Sequence, residues 1–565
     1  MKKVFALLMA TVMAATLLAA CGGGSSSGQT TAAGGGAATT AAAGGSGDET
    51  TAATLPEIEE TTVDPSSIEF EPFELTVGSI NDVGNMYPGG ALMTGRKSMH
   101  VLVYEPLFWA DPDSGDLVPI IGKSYETDGN GTYTVEIFDY VTDSAGNNIT
   151  AEDVCFCIGK YIEDGQNSSI FASISDYHAV DDYTFEVTFD PESVGQFTAF
   201  ATYIYIYSQK AYEDSGDGFT SVPTATGGYV LDEASTISGS TYVFNKRDDY
   251  WQTDEQYICD RNTHNPDKVT IKVITDASTI AMELQNGGVD FVADIAAADR
   301  GNFMDDNGAL DGYAISYGPN NAYVHITFNC SENSPCGDVN LRKAIAYAID
   351  AAACAVTAHG SVGQACTMPS NPNLYDVDES MGSDDYFAYN ADTAKEYLEK
   401  SSYNGETLKL LVQPNAVIKA ASPLIKQYLS IIGINVEALE YDMPQYRSIE
   451  SDTTGTEYDM KLNGLQATDD YICKSMQELD NTGRGTGLNY CYIDDPELQE
   501  LYETAAGVDT TSPEAIQELI DYVNDNCYLY GLYYGPKVFI GKDSIVYMNS
   551  SLPEDNIFGA FIKTE

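Results

Sequence analysis

Residues Asp338 to Asp350 read DVNLRKAIAYAID, and this stretch has the spacing of an amphipathic helix. Its apolar residues fall at i, i+3, i+4, i+7 and i+8, which places them on one helical face. They are Leu341, Ala344, Ile345, Ala348 and Ile349. Asp338 suits the cap position because its carboxylate accepts hydrogen bonds from free backbone N–H groups. We therefore predict a helix that begins after Asp338.

Further helices and strands are intermixed along the chain. Alternating patterns rich in β-branched and aromatic residues predict strands at 132–137 (TYTVEI), 183–189 (YTFEVTF) and 269–274 (VTIKVI). A second apolar face over 424–432 predicts a helix that ends at Gly433, with a strand over 434–439. The sequence TAED at 150–153 predicts another helix start through a near capping box. This mixture, without a visible internal repeat, predicts the α/β class.

The first twenty residues have the features of an export signal. Lys2 and Lys3 precede an apolar run over 4–18, and Ala19-Ala20-Cys21 follows it. Small residues fit the cleavage site of a signal peptidase, and the cysteine fits a bacterial lipobox, whose sulfur receives a diacylglycerol. The run is shorter than the ~20 residues that span a bilayer. We predict a lipoprotein signal peptide over 1–20 and lipidation of Cys21; an ordinary signal peptide with a chance cysteine is the alternative.

Residues 21–64 are dominated by Gly, Ser, Thr and Ala. A segment of this composition cannot bury enough apolar surface to offset the entropy lost on ordering. We predict a disordered tether with a root-mean-square reach of roughly 35 Å.

The remaining chain of about 500 residues is too long for a single core and predicts two or three domains. The whole chain has a hydrophobic content of 43%, which is typical of a globular protein, and a formal net charge of −58. Such a charge argues against nucleic-acid binding and against adhesion to anionic lipid, because both surfaces would repel it. It favours cationic ligands without identifying a site.

Ten cysteines remain after Cys21, an even number that permits disulfides in an exported protein. Cys330 and Cys336 flank a short loop and are the first pair to test. An anaerobic habitat would leave every thiol reduced, so both states stay open.

Signatures of catalysis are weak. None of the five histidines lie at the i, i+4 spacing that presents two zinc ligands from one helix. The sequence HGSVG at 359–363 lacks the first glycine of a nucleophile elbow, and DPDSGD at 111–116 lacks the bidentate glutamate of a calcium loop. We predict no enzyme activity, no cofactor and no metal site; a lipid-anchored hydrolase using HGSVG is the alternative.

Nine short segments follow one another in a particular order along the body. They are Tyr104–Leu107 (YEPL), Gly115–Pro119 (GDLVP), Asp128–Val135 (DGNGTYTV), Ile149–Val154 (ITAEDV), Thr226–Tyr229 (TGGY), Asn245–Trp251 (NKRDDYW), Leu284–Asp290 (LQNGGVD), Asp338–Asp350 and Ile431–Val436 (IIGINV). In this order, from about Thr76 to Met548, the chain resembles the family 5 solute-binding proteins of ABC importers, which include oligopeptide, dipeptide and nickel receptors.

The resemblance implies an α/β fold like that of type II periplasmic binding proteins, with two hinged lobes and an extra α/β domain. It implies domain I at 65–111, 216–325 and 535–565, domain II at 112–215, and domain III at 326–534. The chain crossings are then expected near 323–328 and 534–536. It also implies a monomer at the extracytoplasmic face of the cell membrane, with a membrane permease as partner.

Two stretches depart from the family pattern. Phe138 to Asn148 (FDYVTDSAGNN) replaces a basic segment that ends in glycine. Gly464-Leu465-Gln466 stands where the family's peptide receptors typically have Gly-Trp, and that Trp supplies a wall of the ligand cavity. The leucine therefore keeps solutes other than peptides open.

Candidate ligand-binding residues follow from the same resemblance. In peptide receptors a carboxylate shortly after Gly-Trp receives the α-amino group, which implies Asp470 as first choice here and Asp469 as second. Gly464 and Gln466 are expected to offer backbone groups to an extended ligand.

Two groups of aromatic residues add to these candidates. Tyr323 and His325 alternate on the predicted hinge strand and are candidates to face the cleft, with packing as the alternative for His325. Tyr203, Tyr205 and Tyr207 are predicted to line one strand face.

The leading hypothesis for the function is a receptor for short peptides. The alternatives are a receptor for a sugar, an amine or a nickel chelate, and a peptide-sensing signalling receptor.

Overall fold

A computed structural model describes a large part of the chain after residue 72. The described residues are 73–80, 82, 85–88, 97–111, 116–164, 168–190, 196–293, 295–305, 308–317, 322–374, 376–452, 454–466, 472–480, 491–506, 512–547 and 561–563. All of them belong to the unit Ile58–Glu565. The predicted signal peptide, Cys21, the tether, Asp469 and Asp470 lie outside the described residues.

The strands of the described residues are mostly short. They are β1 Glu74–Ser79, β2 Glu105–Pro106, β3 Phe108–Ala110, β4 Leu117–Pro119, β5 Gly122–Thr127, β6 Thr132–Ile137, β7 Ile174–Asp181, β8 Thr184–Phe189, β9 Tyr205–Ile206, β10 Tyr229–Leu231, β11 Thr241–Lys246, β12 Lys268–Val273, β13 Phe291–Ala293, β14 Met304–Asp305, β15 Gly308–Ala309, β16 Tyr313–Tyr317, β17 Ala322–Phe328, β18 Gln364–Ala365, β19 Thr407–Val412, β20 Asn435–Glu440, β21 Met460–Gln466, β22 Leu529–Tyr534, β23 Val538–Lys542, β24 Ile545–Tyr547 and β25 Phe561–Lys563.

Helices occur between these strands throughout the body. They are α1 Lys97–Val103, α2 Ala151–Asp164, α3 Ser168–Phe171, α4 Gln196–Tyr203, α5 Gln209–Ser215, α6 Ala277–Gln285, α7 Val339–Ala348, α8 Ala351–His359, α9 Ala391–Lys400, α10 Ala416–Ile431, α11 Met443–Glu450, α12 Ile472–Ser475, α13 Pro496–Ala505 and α14 Pro513–Asn526.

Three sheets organise the body. A seven-stranded sheet has the order β10-β11-β12-β1-β13-β23-β16, and a six-stranded sheet has the order β18-β22-β17-β21-β19-β20. A four-stranded antiparallel sheet, β5-β6-β8-β7, lies between β4 and β9 in the chain. The first two sheets mix parallel and antiparallel pairs, as β1 runs parallel to β12 and β19 runs parallel to β21. The predicted α/β class is confirmed.

The chain passes twice between the seven-stranded and the six-stranded sheet. One crossing lies between Tyr317 and Ala322, and the other lies between Tyr534 and Val538. Strand β17 pairs with β21 along its whole length and with β22 over Tyr323–Thr327, so residues 322–325 form part of the six-stranded sheet. The division into domains I, II and III stays a prediction.

Local chemistry explains why these elements begin where they do. The Asp338 carboxylate accepts a hydrogen bond from the Asn340 N–H at 2.8 Å and caps α7, as predicted. At the start of α2, the Asp153 carboxylate accepts from the backbone N–H of Thr150 at 2.9 Å, which is half of the predicted capping box.

The prediction that Tyr203, Tyr205 and Tyr207 line one strand face is wrong. Tyr203 is the last residue of α4, and β9 contains only Tyr205 and Ile206.

Apolar clusters cover both faces of the six-stranded sheet. On one face, Val324, Ile326 and Phe328 pack with residues of α7, α8 and α10. On the other, Tyr323 packs with residues of α12, α13 and α14. Side chains alternate along a strand, so β17 carries both cores.

Within the described ranges no single helix is long and apolar enough to cross a membrane. One pair of consecutive helical segments, Val339–Ala348 and Ala351–Val362, is long and apolar enough when taken together, but the two segments are bent by 57° relative to each other.

Candidate functional site

The candidate site is built where β17 and β21 meet near the chain crossings. The two strands are antiparallel and pair Ala322 with Gln466, and Val324 with Gly464. Strand β21 is also parallel to β19, but that pairing covers only Met460–Leu462. Among the described strands, Gly464 to Gln466 therefore has a strand partner on one side only. The backbone here forms an open sheet edge.

The open edge is partly occupied by a side chain. The Gly464 N–H donates a hydrogen bond to the Gln413 amide oxygen at 2.9 Å. A Cβ at position 464 would lie 2.8 Å from the Ile418 side chain, so α10 packs directly on this backbone. The Gln413 side-chain oxygen thus occupies the position that a backbone carbonyl would occupy if a further strand paired with this edge.

Tyr323 and His325 point away from this edge, into the protein. Both side chains are fully buried, and their rings stack with centroids 4.8 Å apart. The Tyr323 hydroxyl donates to the Ser475 carbonyl at 3.0 Å, and His325 Nε2 lies 3.4 Å from Glu478 Oε2. Both residues hold the segment 472–480, which follows the predicted anchor residues. Their contact with a ligand stays a prediction.

A buried ionic network lies beneath the same strands, around Glu478. Its Oε1 lies 2.7 Å from Lys461 Nζ and 2.6 Å from the Asn463 amide nitrogen. Its Oε2 accepts from the Thr327 hydroxyl at 2.6 Å. Burial alone raises the pKa of Glu478, but Lys461 and the hydrogen bond with His325 outweigh burial and hold that pKa well below its usual range. The carboxylate is therefore charged when it is buried.

The network continues to α11 through Lys461. Lys461 Nζ also contacts Glu450 Oε1 at 3.0 Å, and the Tyr446 hydroxyl donates to the same oxygen at 2.9 Å. The Arg447 guanidinium lies 2.5 Å from Glu450 Oε2. Two cations thus compensate two buried carboxylates, which is the condition for burying charge at tolerable cost.

A third carboxylate at the site, Asp376, forms no ion pair with any described cationic side chain. Its Oδ1 accepts from the Ile472 N–H, the first residue of α12, at 2.9 Å. Its Oδ2 is buried and has no hydrogen-bond partner within the part of the chain that the structure describes. Burial raises the pKa of this carboxyl to about 6. The side chain therefore joins the segment after β18 to the start of α12.

The structure brings four of the predicted site residues together: Gly464, Gln466, Tyr323 and His325 lie on adjacent strands. It does not place Asp469 and Asp470, which fall between β21 and α12 in the chain. Sequence reasoning missed Asp376, Lys461 and Glu478. The sequence carried no signal for Lys461, because MKLNGLQ at 460–466 alternates apolar and polar residues and such a pattern predicts a solvent-facing lysine.

The described cysteines are all free thiols, including Cys330 and Cys336. The Cys330 N–H donates to the Cys491 carbonyl at 2.8 Å, so Cys330 packs beside a cysteine far away in sequence. In the described ranges, no three or more His, Cys, Asp or Glu side chains are grouped to hold a metal ion.

Comparison with protein families and curated proteins identifies relatives. The model for bacterial extracellular solute-binding proteins, family 5 (middle), matches residues 116–485. The heme-binding protein A of Haemophilus influenzae is 23% identical over 381 residues, which cover 61% of this chain and 66%, just under two thirds, of that protein. A probable peptide ABC transporter periplasmic-binding protein of Sinorhizobium fredii is 26% identical over 371 residues, covering 62% and 67%.

Solved structures share the fold. The ABC transporter substrate-binding protein CtaP of Listeria monocytogenes superposes with a TM-score of 0.72 at 21% identity, covering 88% of this chain and 100% of that one. The oligopeptide-binding protein AppA of Bacillus subtilis, solved with a nonapeptide, gives 0.69 at 17% identity, covering 88% and 100%. The body therefore has the type II periplasmic-binding-protein fold that the sequence predicted.

Proposed function

We propose a function from one premise: this chain belongs to the family 5 bacterial extracellular solute-binding proteins. Such proteins are the extracytoplasmic binding components of ABC importers. We infer that this chain captures short peptides by closure of two lobes and delivers them to a membrane permease. In this proposal it acts as a monomer that is held at the outer face of the membrane by a lipid on Cys21.

The open edge of β21 is the observation that carries the peptide proposal. An extended peptide main chain can add to a sheet edge through backbone hydrogen bonds, which do not depend on the side chains of the peptide. The edge at Gly464 to Gln466 offers such bonds, and the Gln413 amide oxygen already makes one of them. Sugars and nickel chelates have no repeating amide that would match this edge.

The remaining site residues take roles in this proposal. Asp470, or Asp469 as second choice, receives the α-amino group, and Gly464 and Gln466 hold the main chain. Tyr323 and His325 form the floor that keeps segment 472–480 in place. The two crossings between the sheets are the hinge, where few residues absorb the rotation of the lobes.

Native mass spectrometry of the chain purified from its host tests the proposal directly. We expect co-purified peptides of about two to five residues, because a closed receptor retains its ligand. Calorimetry with a tripeptide library and its backbone N-methylated counterpart then tests the edge. N-methylation removes main-chain donors, so at least tenfold weaker binding is expected for the methylated library. A co-purified sugar, or equal affinity for both libraries, would contradict the proposal.

A further inference from the structure

The HGSVG sequence at 359–363 lies at the end of α8 and has no part in the proposed function so far. It consists of His359, the short 3-10 helix Gly360–Val362 and Gly363. Helix α8 shares an apolar core with β17 and β22, and the next strand, β18, pairs with β22. Both flanks of residues 359–363, which we call the strap, therefore belong to the six-stranded sheet.

The middle of the strap packs on the other large sheet. Val362 is buried in one apolar cluster with Val292 of β13 and with Val538 and Ile540 of β23, which are strands of the seven-stranded sheet. At Gly360 the backbone has φ +69° and ψ −146°, a conformation that glycine adopts readily and other residues rarely adopt. The glycine thus lets the chain leave α8 towards the core of the second sheet.

A buried arginine on the side of the seven-stranded sheet holds the strap. Arg300 follows β13 in the chain, and its Nε donates a hydrogen bond to the Ile295 carbonyl at 2.8 Å. Its Nη1 donates to the His359 carbonyl, in the strap, at 2.6 Å. Because the guanidinium is planar and rigid, it holds the two carbonyls in a fixed relative position.

The side chain of His359 lies against the second chain crossing. A Cβ on Gly535 would be 2.6 Å from the His359 ring, and the same ring makes an edge contact with Tyr533 of β22, with centroids 5.9 Å apart. The strap is thus attached to one sheet by its flanks and to the other by Val362 and Arg300. Rotation of one sheet against the other must therefore change these contacts.

We propose that Arg300 is a positioning residue for lobe closure, and that its hydrogen bond to the strap sets the balance between the open and closed lobes. This role rests on the proposed function and deepens it, because it assigns the control of closure to a noncovalent contact beside the crossings. The hydrogen bond is made in the arrangement of this structure, so arrangements that break it are populated less. The HGSVG sequence is then part of the hinge.

Distances between the two sheets, measured by double electron–electron resonance on the full chain, test this role. Ketone-bearing amino acids at Met282 in α6 and Ile431 in α10, both exposed positions, carry the spin labels and leave the native cysteines unlabelled. For the wild type we expect one dominant distance without ligand and a shifted distance with a saturating tripeptide library. Arg300→Lys keeps the charge but cannot bridge both carbonyls, so we expect a broader distribution with a second maximum in the absence of ligand.

The matched control is Arg342→Lys. Arg342 is also buried and bridges two carbonyls, those of Cys336 at 2.8 Å and Cys527 at 3.0 Å, but both lie in the part of the chain that forms the six-stranded sheet and its helices. This variant should lose stability as Arg300→Lys does, and its distance distribution should match that of the wild type.

A second pair of variants keeps the test decisive if Arg300→Lys does not fold. Val362→Ala loosens the strap and should broaden the distribution, whereas Val187→Ala truncates the same kind of buried side chain in β8 and should not. A wild-type distribution in Arg300→Lys, or in Val362→Ala if Arg300→Lys is unfolded, would overturn the role of the strap alone. A wild-type distance that does not respond to the tripeptide library would overturn lobe closure in the proposed function and this role together.

Discussion

At the scale of single residues, the site is defined by how its buried charges are compensated. Lys461 is the second residue of β21, its side chain is fully buried, and it is the shared partner of Glu450 and Glu478. Register explains the arrangement: Thr327 pairs with Lys461, and His325 pairs with Asn463, so all four side chains share one sheet face above Glu478.

Removal of Lys461 is expected to be strongly destabilising. Lys461→Met keeps most of the side-chain volume but leaves two carboxylates buried without their shared cation, which costs about 3–5 kcal/mol of unfolding free energy. Urea unfolding measures the loss. Lys210→Met removes a lysine from the exposed pair with Asp214 and should leave the midpoint unchanged.

A combined substitution separates charge from packing in this network. Adding Glu478→Gln to Lys461→Met removes one of the stranded charges and should recover part of the lost stability. A double variant that is no more stable than Lys461→Met would show that packing, not charge, accounts for the effect.

At the scale of elements, the sequence predicted best where pattern and capping agreed. Helix α7 begins directly after Asp338, and β6 has the predicted bounds. Helix α10 shows the opposite case. The predicted pattern starts at Leu424, yet the helix begins at Ala416 and contains Pro423, with the Asn415 side chain as its cap. Proline lacks an N–H and usually marks a helix start or break, so pattern alone could not extend the helix upstream.

The site was less predictable than the fold for a physical reason. Gly464, Gln466, Tyr323 and His325 could be placed on strands by alternation, but the partners of a buried charge come from distant parts of the chain. Asp376 and Ile472 are joined across nearly a hundred residues. Such pairs depend on tertiary packing, which leaves no periodic signal in one sequence.

Gly535 lies in the crossing between β22 and β23, and its close packing on α8 leads to a prediction about stability. A Cβ on Gly535 would lie 2.6 Å from the His359 ring at the end of α8, and the His359 carbonyl accepts from Arg300 at 2.6 Å. Gly535→Ala must therefore displace the end of α8, which costs about 1–3 kcal/mol of unfolding free energy.

The matched control for this junction is Gly301→Ala, because a Cβ there meets no atom within 4 Å. Gly301 lies in a short 3-10 helix, Arg300–Asn302, so we expect the control to unfold at or slightly above the wild-type midpoint, since alanine favours helical backbone. Peptide affinity measured on both variants then shows whether the crossing also serves closure. Equal unfolding midpoints for the two variants would contradict the close packing of Gly535 on His359.

At the scale of the whole molecule, the two crossings and the N-terminal segment define how the receptor would work. In the proposed function, the two sheets rotate relative to each other about the two short crossings that join them, and the β21 edge at Gly464 to Gln466 lies beside one of these crossings. The formal net charge of −58 keeps the body away from anionic lipid surfaces. In the proposed function, attachment near a permease therefore depends on the predicted lipid anchor.

The predicted anchor at Cys21 can be separated from ligand capture in one experiment. A diacylglycerol on Cys21 inserts two acyl chains, and two chains suffice for stable attachment where one does not. In a bacterial host, the wild type should fractionate with membranes, and Cys21→Ser should move to the soluble extracytoplasmic fraction with unchanged peptide affinity. Cys155→Ser, in helix α2 of the body, should leave the wild-type distribution intact. Membrane retention of a Cys21→Ser chain from which the signal peptide has been removed would contradict the lipid anchor.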